Sequence, residues 1–191
     1  MAYTDEEILK KREQDKKQTY TTLENGIYMD GKVVCFERRE MFGTFSVMLP
    51  KLWKQMPKEY ARIKYPSEFR PQVIVTTADL SVNIGFTQFP SKVHSGAAVQ
   101  ITERAMSAIH RANSDHQIYP YEVLTDKEGC WFSFRSHAMD SDLYNMLLFV
   151  RLKKNILQAS FNCSYADRTK WEKTVVKIWE SIQELKEGIW K

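Results

Sequence analysis

The stretch "CWFSFRSHAMDSDLYNMLLFVRLKKNILQASFNC", residues 130–163, decides the fold. It contains three strand-like runs, 130–138, 143–152 and 156–163, which are separated by the short polar segments "DSD" and "KKN". A further strand-like run, "IYPYEVL" (118–124), precedes them across the polar turn "DKEG". Turns of two to four polar residues can only join antiparallel neighbours. We therefore predict four strands that lie side by side in chain order.

More strand-like runs lie nearer the N-terminus, at 26–31, 32–38, 43–50, 72–77 and 80–86. In "GTFSVMLP" the apolar side chains at 45, 47 and 49 alternate with their neighbours, and "LSVNIGF" alternates in the same way from Leu80 to Phe86. A period of two is typical of a strand that buries one face and exposes the other. Both segments are therefore predicted to be half-buried strands.

Three segments have helical character. The first, 4–18, is charged, has Thr4 as its N-cap and offers little to bury, so it is predicted to be a solvated arm unless a partner covers it. The second, 96–113, has Ser95 as a plausible cap and Asn113 as a plausible stop. Its apolar stripe is formed by Ala98, Ile101, Ala105, Ala108 and Ala112. The third, 165–187, has a stripe formed by Trp171, Val175, Ile178, Ile182 and Leu185.

These elements predict an α+β protein. Its antiparallel sheet has about six to seven strands, helices pack on the faces of that sheet, and a helix ends the chain. The predicted organisation is a charged helical arm at 1–20 followed by a single α+β domain at 21–191, since 191 residues suit one domain and its appendage.

Composition limits the classes of function. A net charge of +4 is too small to predict nucleic-acid binding by itself. Cys35, Cys130 and Cys163 are far apart in apolar runs, so they are interpreted as reduced, buried side chains. The chain opens without an apolar signal segment, and its longest apolar run, "MLLFV", is too short to span a bilayer. We therefore expect a soluble cytoplasmic protein.

Two polar clusters raise the question of catalysis. In "SFNCSYADRTKW" (160–171), Ser164 and Asp167 have the spacing of a helix cap, and Cys163 shares a face with Phe161 and has no neighbouring His. We interpret this segment as a strand-to-helix corner. His137, Asp140 and Asp142 surround a hairpin turn, where a polar turn is commoner than a metal site. We predict no enzyme, no catalytic residues, no metal and no cofactor.

The segment "PKLWKQMPKEYARIKYPSEFRP", 50–71, is the most suggestive surface, because basic and aromatic residues interleave along it. Such a pattern indicates inward packing with exposed lysine ends, a protein or peptide site, or single-stranded nucleic acid, and we regard nucleic acid as the least favoured of the three. The predicted partner-binding residues are Trp53, Lys54, Lys58, Tyr60, Arg62 and Tyr65.

The order of these elements resembles a known superfamily. The run "FSVMLPKLW" with its Pro50-x-x-Trp53 spacing, the alanine-rich helix, the meander and "ILQASFNCSYADRTKWEKTVVKIWESI" are similar to the PsbP/DcrB-like fold over residues 26–187. The resemblance implies an antiparallel sheet with helices on its faces. Its members are mostly non-enzymatic: photosystem assembly subunits, a Ran-binding nuclear import factor, bacterial envelope proteins and cytoplasmic Eag-type chaperones of type VI secretion effectors. The chain lacks a lipobox Cys, which favours a cytoplasmic member.

The sequence thus predicts a non-catalytic cytoplasmic binding or adaptor protein that engages a protein partner, with a chaperone of a secretion system as one form of that role. A small-ligand-binding protein, or an unrecognised enzyme with a pocket between helix and sheet, is the alternative. The partner's identity and the oligomeric state are left open.

Overall fold

The structure, a computed structural model, describes residues 5–90, 96–138 and 141–185. The chain forms two compact units, one made of residues 53–171 and the other of residues 1–52 with 172–191. The division into an arm, 1–20, and one domain, 21–191, stays a prediction.

The helices and strands are numbered in chain order. The α-helices are α1 (Asp5–Thr19), α2 (Lys58–Lys64), α3 (Ala97–Ala112) and α4 (Arg168–Glu180). The strands are β1 (Thr21–Thr22), β2 (Gly26–Met29), β3 (Lys32–Val34), β4 (Phe36–Met41), β5 (Phe45–Pro50), β6 (Lys54–Gln55), β7 (Val73–Thr76), β8 (Asn83–Pro90), β9 (Gln117–Ile118), β10 (Glu122–Val123), β11 (Gly129–His137), β12 (Asp142–Arg151), β13 (Asn155–Ser164) and β14 (Gln183–Glu184).

The unit 53–171 is built on an eight-stranded antiparallel sheet with the order β10-β11-β12-β13-β8-β7-β6, and β9 also pairs with β11. The predicted α+β class and the predicted meander are confirmed. The sheet has more strands than the predicted six to seven because it gains β6, which no sequence pattern indicates, and because the run 118–124 is divided at Pro120, which has no N–H to donate to a ladder. The two short strands β9 and β10 form on either side of it.

Helix α3 covers one face of this sheet. Phe132, Phe149 and Ile156 form a buried cluster, and Ile101 and Ile109 of α3 pack against it, as do Ala105 and Met106. The predicted packing of the helix is confirmed, but the predicted stripe is partly wrong, because Ala108 and Ala112 are exposed. The buried face follows the 3.6-residue turn through Ala98, Thr102, Ala105 and Ile109, and the row of alanines drifts away from it. Asn113 does end α3, Gly96 is its N-cap, and Ser95 lies outside the described residues.

Two strands predicted to be half-buried are buried on both sides. All six residues of β5 are buried, and so are the first four of β8, including the polar Asn83. Each lies in the interior of its sheet, β5 between β14 and β4, and β8 between β13 and β7. The period of two marks the more apolar face correctly, but it does not show that polar side chains on the other face are buried with hydrogen bonds.

The corner at 164–168 is confirmed. The Ser164 hydroxyl accepts a hydrogen bond from the Ala166 N–H at 3.4 Å, at the start of a short 3-10 helix, Tyr165–Asp167, that leads into α4. Cys163 is fully buried, and burial, assisted by the charge of Asp167, raises the pKa of its thiol to about 12. A thiol with that pKa is protonated at neutral pH and is a poor nucleophile.

The unit 1–52 with 172–191 contains two three-stranded sheets, β1-β2-β3 and β14-β5-β4. The predicted C-terminal helix is too long, because α4 ends at Glu180 and the chain then pairs with β5 as β14. Ser181 explains the end of the helix. Its hydroxyl accepts from the Met48 N–H at 2.9 Å and donates to the Ile178 carbonyl at 2.6 Å. Leu185, which was predicted to belong to the stripe of the helix, instead follows β14, and its N–H donates to the Thr44 carbonyl.

Helix α1 buries no residue, and its Lys17 and Glu13 form an ion pair of 2.8 Å, as expected of a solvated helix. Within residues 5–90, 96–138 and 141–185, no helix combines the length and apolar character needed to cross a bilayer. Cys130 and Cys163 are buried as predicted, but Cys35 is exposed because it lies in the single-residue gap between β3 and β4.

A chain of side-chain hydrogen bonds crosses the sheet beneath the segment that follows α2. The Thr76 hydroxyl donates to Asn83 Oδ1 at 2.7 Å, and Asn83 Nδ2 donates to Asn162 Oδ1 at 2.9 Å. Asn162 Nδ2 in turn donates to the Tyr65 hydroxyl at 2.8 Å. These bonds link β7, β8 and β13, and they attach the residue after α2 to the sheet.

The segment after α2 also packs closely against the sheet at Pro71. A Cβ atom added to Gly85 would lie 2.5 Å from Pro71 Cγ and 2.7 Å from Ser160 Oγ. Only glycine at this position of β8 lets Pro71 contact the sheet so closely. The segment 65–71 is therefore fixed at both ends.

We expect Asn83→Ala to reduce the free energy of unfolding by about 2 kcal/mol, because it removes the acceptor of the buried Thr76 hydroxyl and the donor to the half-buried Asn162 amide oxygen. Urea unfolding followed by circular dichroism measures the change. The control is Gln100→Ala on the exposed face of α3, which should stay within about 0.5 kcal/mol of wild type. Equal stability of both variants would contradict a structural role for the network.

The thiols should differ in reactivity. We expect Ellman's reagent to modify one of the three cysteines, Cys35, rapidly in the native protein and all three in denaturant, because Cys130 and Cys163 are buried and burial raises the pKa of both thiols. The Cys35→Ser variant should be nearly unreactive until it unfolds. Rapid native labelling of that variant would show that a buried thiol is accessible.

Candidate protein-binding surface

Helix α2 is a short helix with prolines on both sides. Pro57 is its N-cap with φ −58°, and the Tyr65 N–H donates to the Ala61 carbonyl at 2.9 Å at its end. Pro66 follows, and the residue before a proline is disfavoured in the helical conformation. The sequence therefore limits α2 to two turns and directs the chain into the segment that Tyr65 and Pro71 attach to the sheet.

Three large apolar side chains near α2 are exposed. Tyr60 and Ile63 are 52% and 79% exposed, and their spacing of three places them on one side of the helix. Phe69, in the segment after the helix, is 95% exposed. Single exposed apolar residues are ordinary, but three within ten residues of the chain are a concentration of the kind found at interaction sites.

The cations of the same segment fall into two groups. Lys64 donates to the Leu80 carbonyl, and Arg70 donates to the Ser67 carbonyl at 3.0 Å. Partial burial lowers the pKa of Lys64. By contrast, the side chains of Lys54, Lys58 and Arg62 are exposed and form no hydrogen bond or ion pair with any described residue. We call these three cations together with Tyr60, Ile63 and Phe69 the α2 surface.

A cleft of about 290 Å³ lies beside α2, bounded by the helix, the segment 68–72 and the strands β6 and β7. The buried side chains of Met56 and Ile74 line it, together with Ala61 and Pro71. Its charged lining consists of Lys58, Arg62, Arg70 and Glu68, and its amides are Gln55 and Gln72. The cleft combines an apolar lining with an excess of positive charge.

The structure places the six predicted residues in two layers. Lys54, Lys58, Tyr60 and Arg62 lie on the exposed surface. Trp53 is 6% exposed and its ring centroid lies 5.3 Å from that of Trp171, so it packs in the interior, and Tyr65 is half-buried with its hydroxyl on Asn162. The packing interpretation thus describes Trp53 and Tyr65, while the other four remain accessible to a partner.

Sequence reasoning missed three features of this site. Ile63 could have been found, because it lies one helical turn after Tyr60. Phe69 could not, because its exposure depends on how the segment 65–71 is attached to the sheet. The amides of Gln55 and Gln72 gave no signal, since only the pairing of β6 with β7 brings them to one cleft.

A second polar cluster surrounds the hairpin between β11 and β12. Arg135 Nε donates to Asp142 at 2.7 Å, and His137 Nδ1 lies 2.6 Å from the other carboxylate oxygen. Hydrogen bonds from Arg135 and then His137 lower the pKa of Asp142. The Arg135 guanidinium also stacks 4.4 Å over the ring of Tyr165, so these groups are occupied with one another. Asp140 lies outside the described residues, among which no three metal-ligating side chains come together.

Comparison with known proteins by sequence finds nothing similar. No protein-family model matches the chain, and no curated protein matches it.

Several solved structures share the fold. PsbP (CyanoP) from Synechocystis sp. PCC 6803 superimposes with a TM-score of 0.59 at 10% identity, covering 84% of this chain and 98% of that one. The Ran-binding protein Mog1p of Saccharomyces cerevisiae gives 0.52 at 7% identity, covering 78% and 95%. LpqN of Mycobacterium tuberculosis, involved in cell envelope biogenesis, gives 0.51 at 10% identity, covering 87% and 99%. At these identities the likeness concerns the fold alone, and it confirms the resemblance seen in the sequence: the chain has the PsbP/DcrB-like fold.

Proposed function

We propose that this protein is a non-catalytic binding or adaptor protein that engages a protein partner through the α2 surface. The observation that carries the proposal is the concentration of exposed apolar side chains and unpaired cations beside one cleft. Tyrosine and arginine are the residue types that dominate binding energy at protein interfaces, and Tyr60 and Arg62 supply one of each.

The support beneath the surface fits a docking role. Trp53 packs on Trp171, and Tyr65 is hydrogen-bonded to Asn162, so both ends of the segment that includes α2 are anchored before any partner arrives. A preorganised surface loses less conformational entropy on binding than a mobile one. Trp53 and Tyr65 therefore contribute to partner binding by holding Lys54, Lys58, Tyr60 and Arg62 in place.

The fold supports a finer form of the proposal. One structural neighbour is a Ran-binding protein, which supports a protein partner. The resemblance stated from the sequence adds a cytoplasmic chaperone that delivers effectors to a secretion system. The chaperone role requires the partner found at the α2 surface to be a secreted effector. A partner of another class would contradict the chaperone role but would leave the docking proposal in place.

Photo-crosslinking tests the docking proposal. We expect a benzophenone amino acid at position 63 to give a discrete protein adduct in the native host, and the same probe at position 123 to give none, because Val123 is 58% exposed but lies on β10, away from the α2 segment. The crosslinked protein is identified by mass spectrometry and its affinity for the purified chain is measured by calorimetry.

Matched variants then distinguish a specific docking surface from non-specific hydrophobic binding. The double variant Tyr60→Ser, Phe69→Ser should weaken binding about tenfold or more, which corresponds to about 1.4 kcal/mol. The control Phe89→Ser, Tyr121→Ser removes two exposed aromatic rings elsewhere and should leave affinity unchanged. Equal adducts at 63 and 123, or equal loss in both double variants, would contradict the proposal.

The alternative is a small-ligand protein that uses the cleft lined by Met56 and Ile74. A cleft of about 290 Å³ is at the lower limit for a ligand pocket, and it is charged along much of its lining. A metabolite that raises the melting temperature of wild type but not of an Ala61→Trp variant, in which the cleft is filled, would favour this alternative over a protein partner.

A further inference from the structure

The cleft beside α2 has a positive rim. Lys58, Arg62 and Arg70 outnumber its single carboxylate, Glu68, and neither Lys58 nor Arg62 has an ion-pair partner among the described residues. By comparison, Arg151 lies 2.9 Å from Glu128 and Arg39 lies 2.9 Å from Glu37, so each of these two arginines is neutralised by a nearby carboxylate. The charge left uncompensated at this rim is available to anionic groups of a partner.

The lower part of the cleft is apolar. Its lining includes Met56 and Ile74, which are almost fully buried, together with Ala61 and Pro71. Its volume of about 290 Å³ is less than most drug-sized ligands need, and it suits a single apolar side chain. A partner that fits both parts must present an apolar side chain with acidic groups next to it.

Unpaired main-chain groups beside the cleft indicate how a partner segment would run. The Met56 N–H donates to the Ile74 carbonyl at 2.8 Å, and Pro57 then directs the chain away from the sheet. Gln72 directly precedes β7 and lines the cleft. Within the described residues no main-chain group pairs with the N–H or C=O of Gln72, and its side chain is bonded to Gln88. An extended segment can therefore continue the line that β6 leaves.

We infer that the partner docks an extended acidic segment in this cleft, with one apolar side chain against Met56 and Ile74 and its flanking carboxylates at Lys58 and Arg62. This inference rests on the proposed function, since it specifies the chemistry of the partner at the α2 surface. Ile63 and Phe69 then lie outside the cleft, where they contact the body of the partner rather than the segment.

Two other anionic partners fit less well. Helix α2 has only seven residues, which is short for a helix that lies in a membrane interface. Glu59 and Glu68 are exposed on the same segment and would face a uniformly anionic headgroup layer or phosphate backbone. A peptide can place its carboxylates opposite Lys58 and Arg62 and away from Glu68, so the mixed charge pattern favours a protein segment.

Fluorescence anisotropy with a labelled peptide tests this inference on the full chain. The probe is a short peptide in which one leucine stands between two pairs of glutamates. We expect saturable binding that weakens as salt increases, and a loss of affinity of about tenfold or more when the leucine is changed to serine or the glutamates to glutamine.

Reversal of the charges on the protein and on the peptide tests whether the contact is specific. Lys58→Glu, Arg62→Glu should abolish binding of the acidic peptide and restore binding to a peptide in which lysines replace the glutamates. Arg104→Glu on the exposed face of α3 is the matched control and should leave the affinity unchanged. If Arg104→Glu weakens binding as much, or if the lysine peptide is not rescued, the contact is general electrostatics and the inference is wrong.

The outcome is distinguishable from that of the docking proposal. A crosslinked partner whose affinity is unaffected by Lys58→Glu, Arg62→Glu overturns the acidic segment and leaves the α2 surface as a docking site. Specific peptide binding without any adduct at position 63 supports the acidic segment in the cleft and contradicts docking of a larger partner on Ile63. Tighter retention on phosphatidylserine vesicles or on single-stranded DNA than on the peptide, lost in the same variant, overturns the inference in favour of a membrane or a nucleic acid.

Discussion

The hydrogen-bonded chain from Thr76 through Asn83 and Asn162 to Tyr65 is the constraint on which the candidate site depends. Burial of the Asn83 amide is unfavourable unless it is paired, and here it accepts from Thr76 and donates to the half-buried Asn162, which in turn donates to Tyr65. The last partner, Tyr65, stands directly after α2. The helix buries none of its residues, so its position is set by the attachment of Tyr65 to the sheet together with the hydrogen bond from Lys64 to the Leu80 carbonyl.

That arrangement explains how so exposed a segment can be ordered. Two turns of helix are too short to be stable alone in water, and the exposed Ile63 and Phe69 contribute no burial. The attachment at Tyr65 and the contact of Pro71 with Gly85 supply the stabilisation instead. Cations and apolar groups can then be displayed outward without loss of order, and a cleft remains where Pro57 separates the helix from the sheet.

Much of the fold could be predicted because its signals are local. The strands of the meander are joined by turns too short to allow anything but antiparallel pairing, and an apolar stripe marks each of the two helices α3 and α4. The early end of α4 has a long-range cause, because Met48 of β5 donates to Ser181. The error at Ala108 is local, because the 3.6-residue turn carries the row of alanines away from the buried face of the helix. For the site, the basic and aromatic pattern located the segment but could not separate the buried Trp53 from the exposed Tyr60.

The sequence by itself determined the α+β class, the antiparallel meander, the corner at Ser164 and the segment that has the candidate surface, because periodicity, turn length and capping are properties of neighbouring residues. The tertiary structure alone decided which aromatic rings are inside, where the unpaired cations lie and that a cleft opens beside α2. Those features depend on residues far apart in the chain, such as Asn162 and Tyr65, whose meeting no local pattern records.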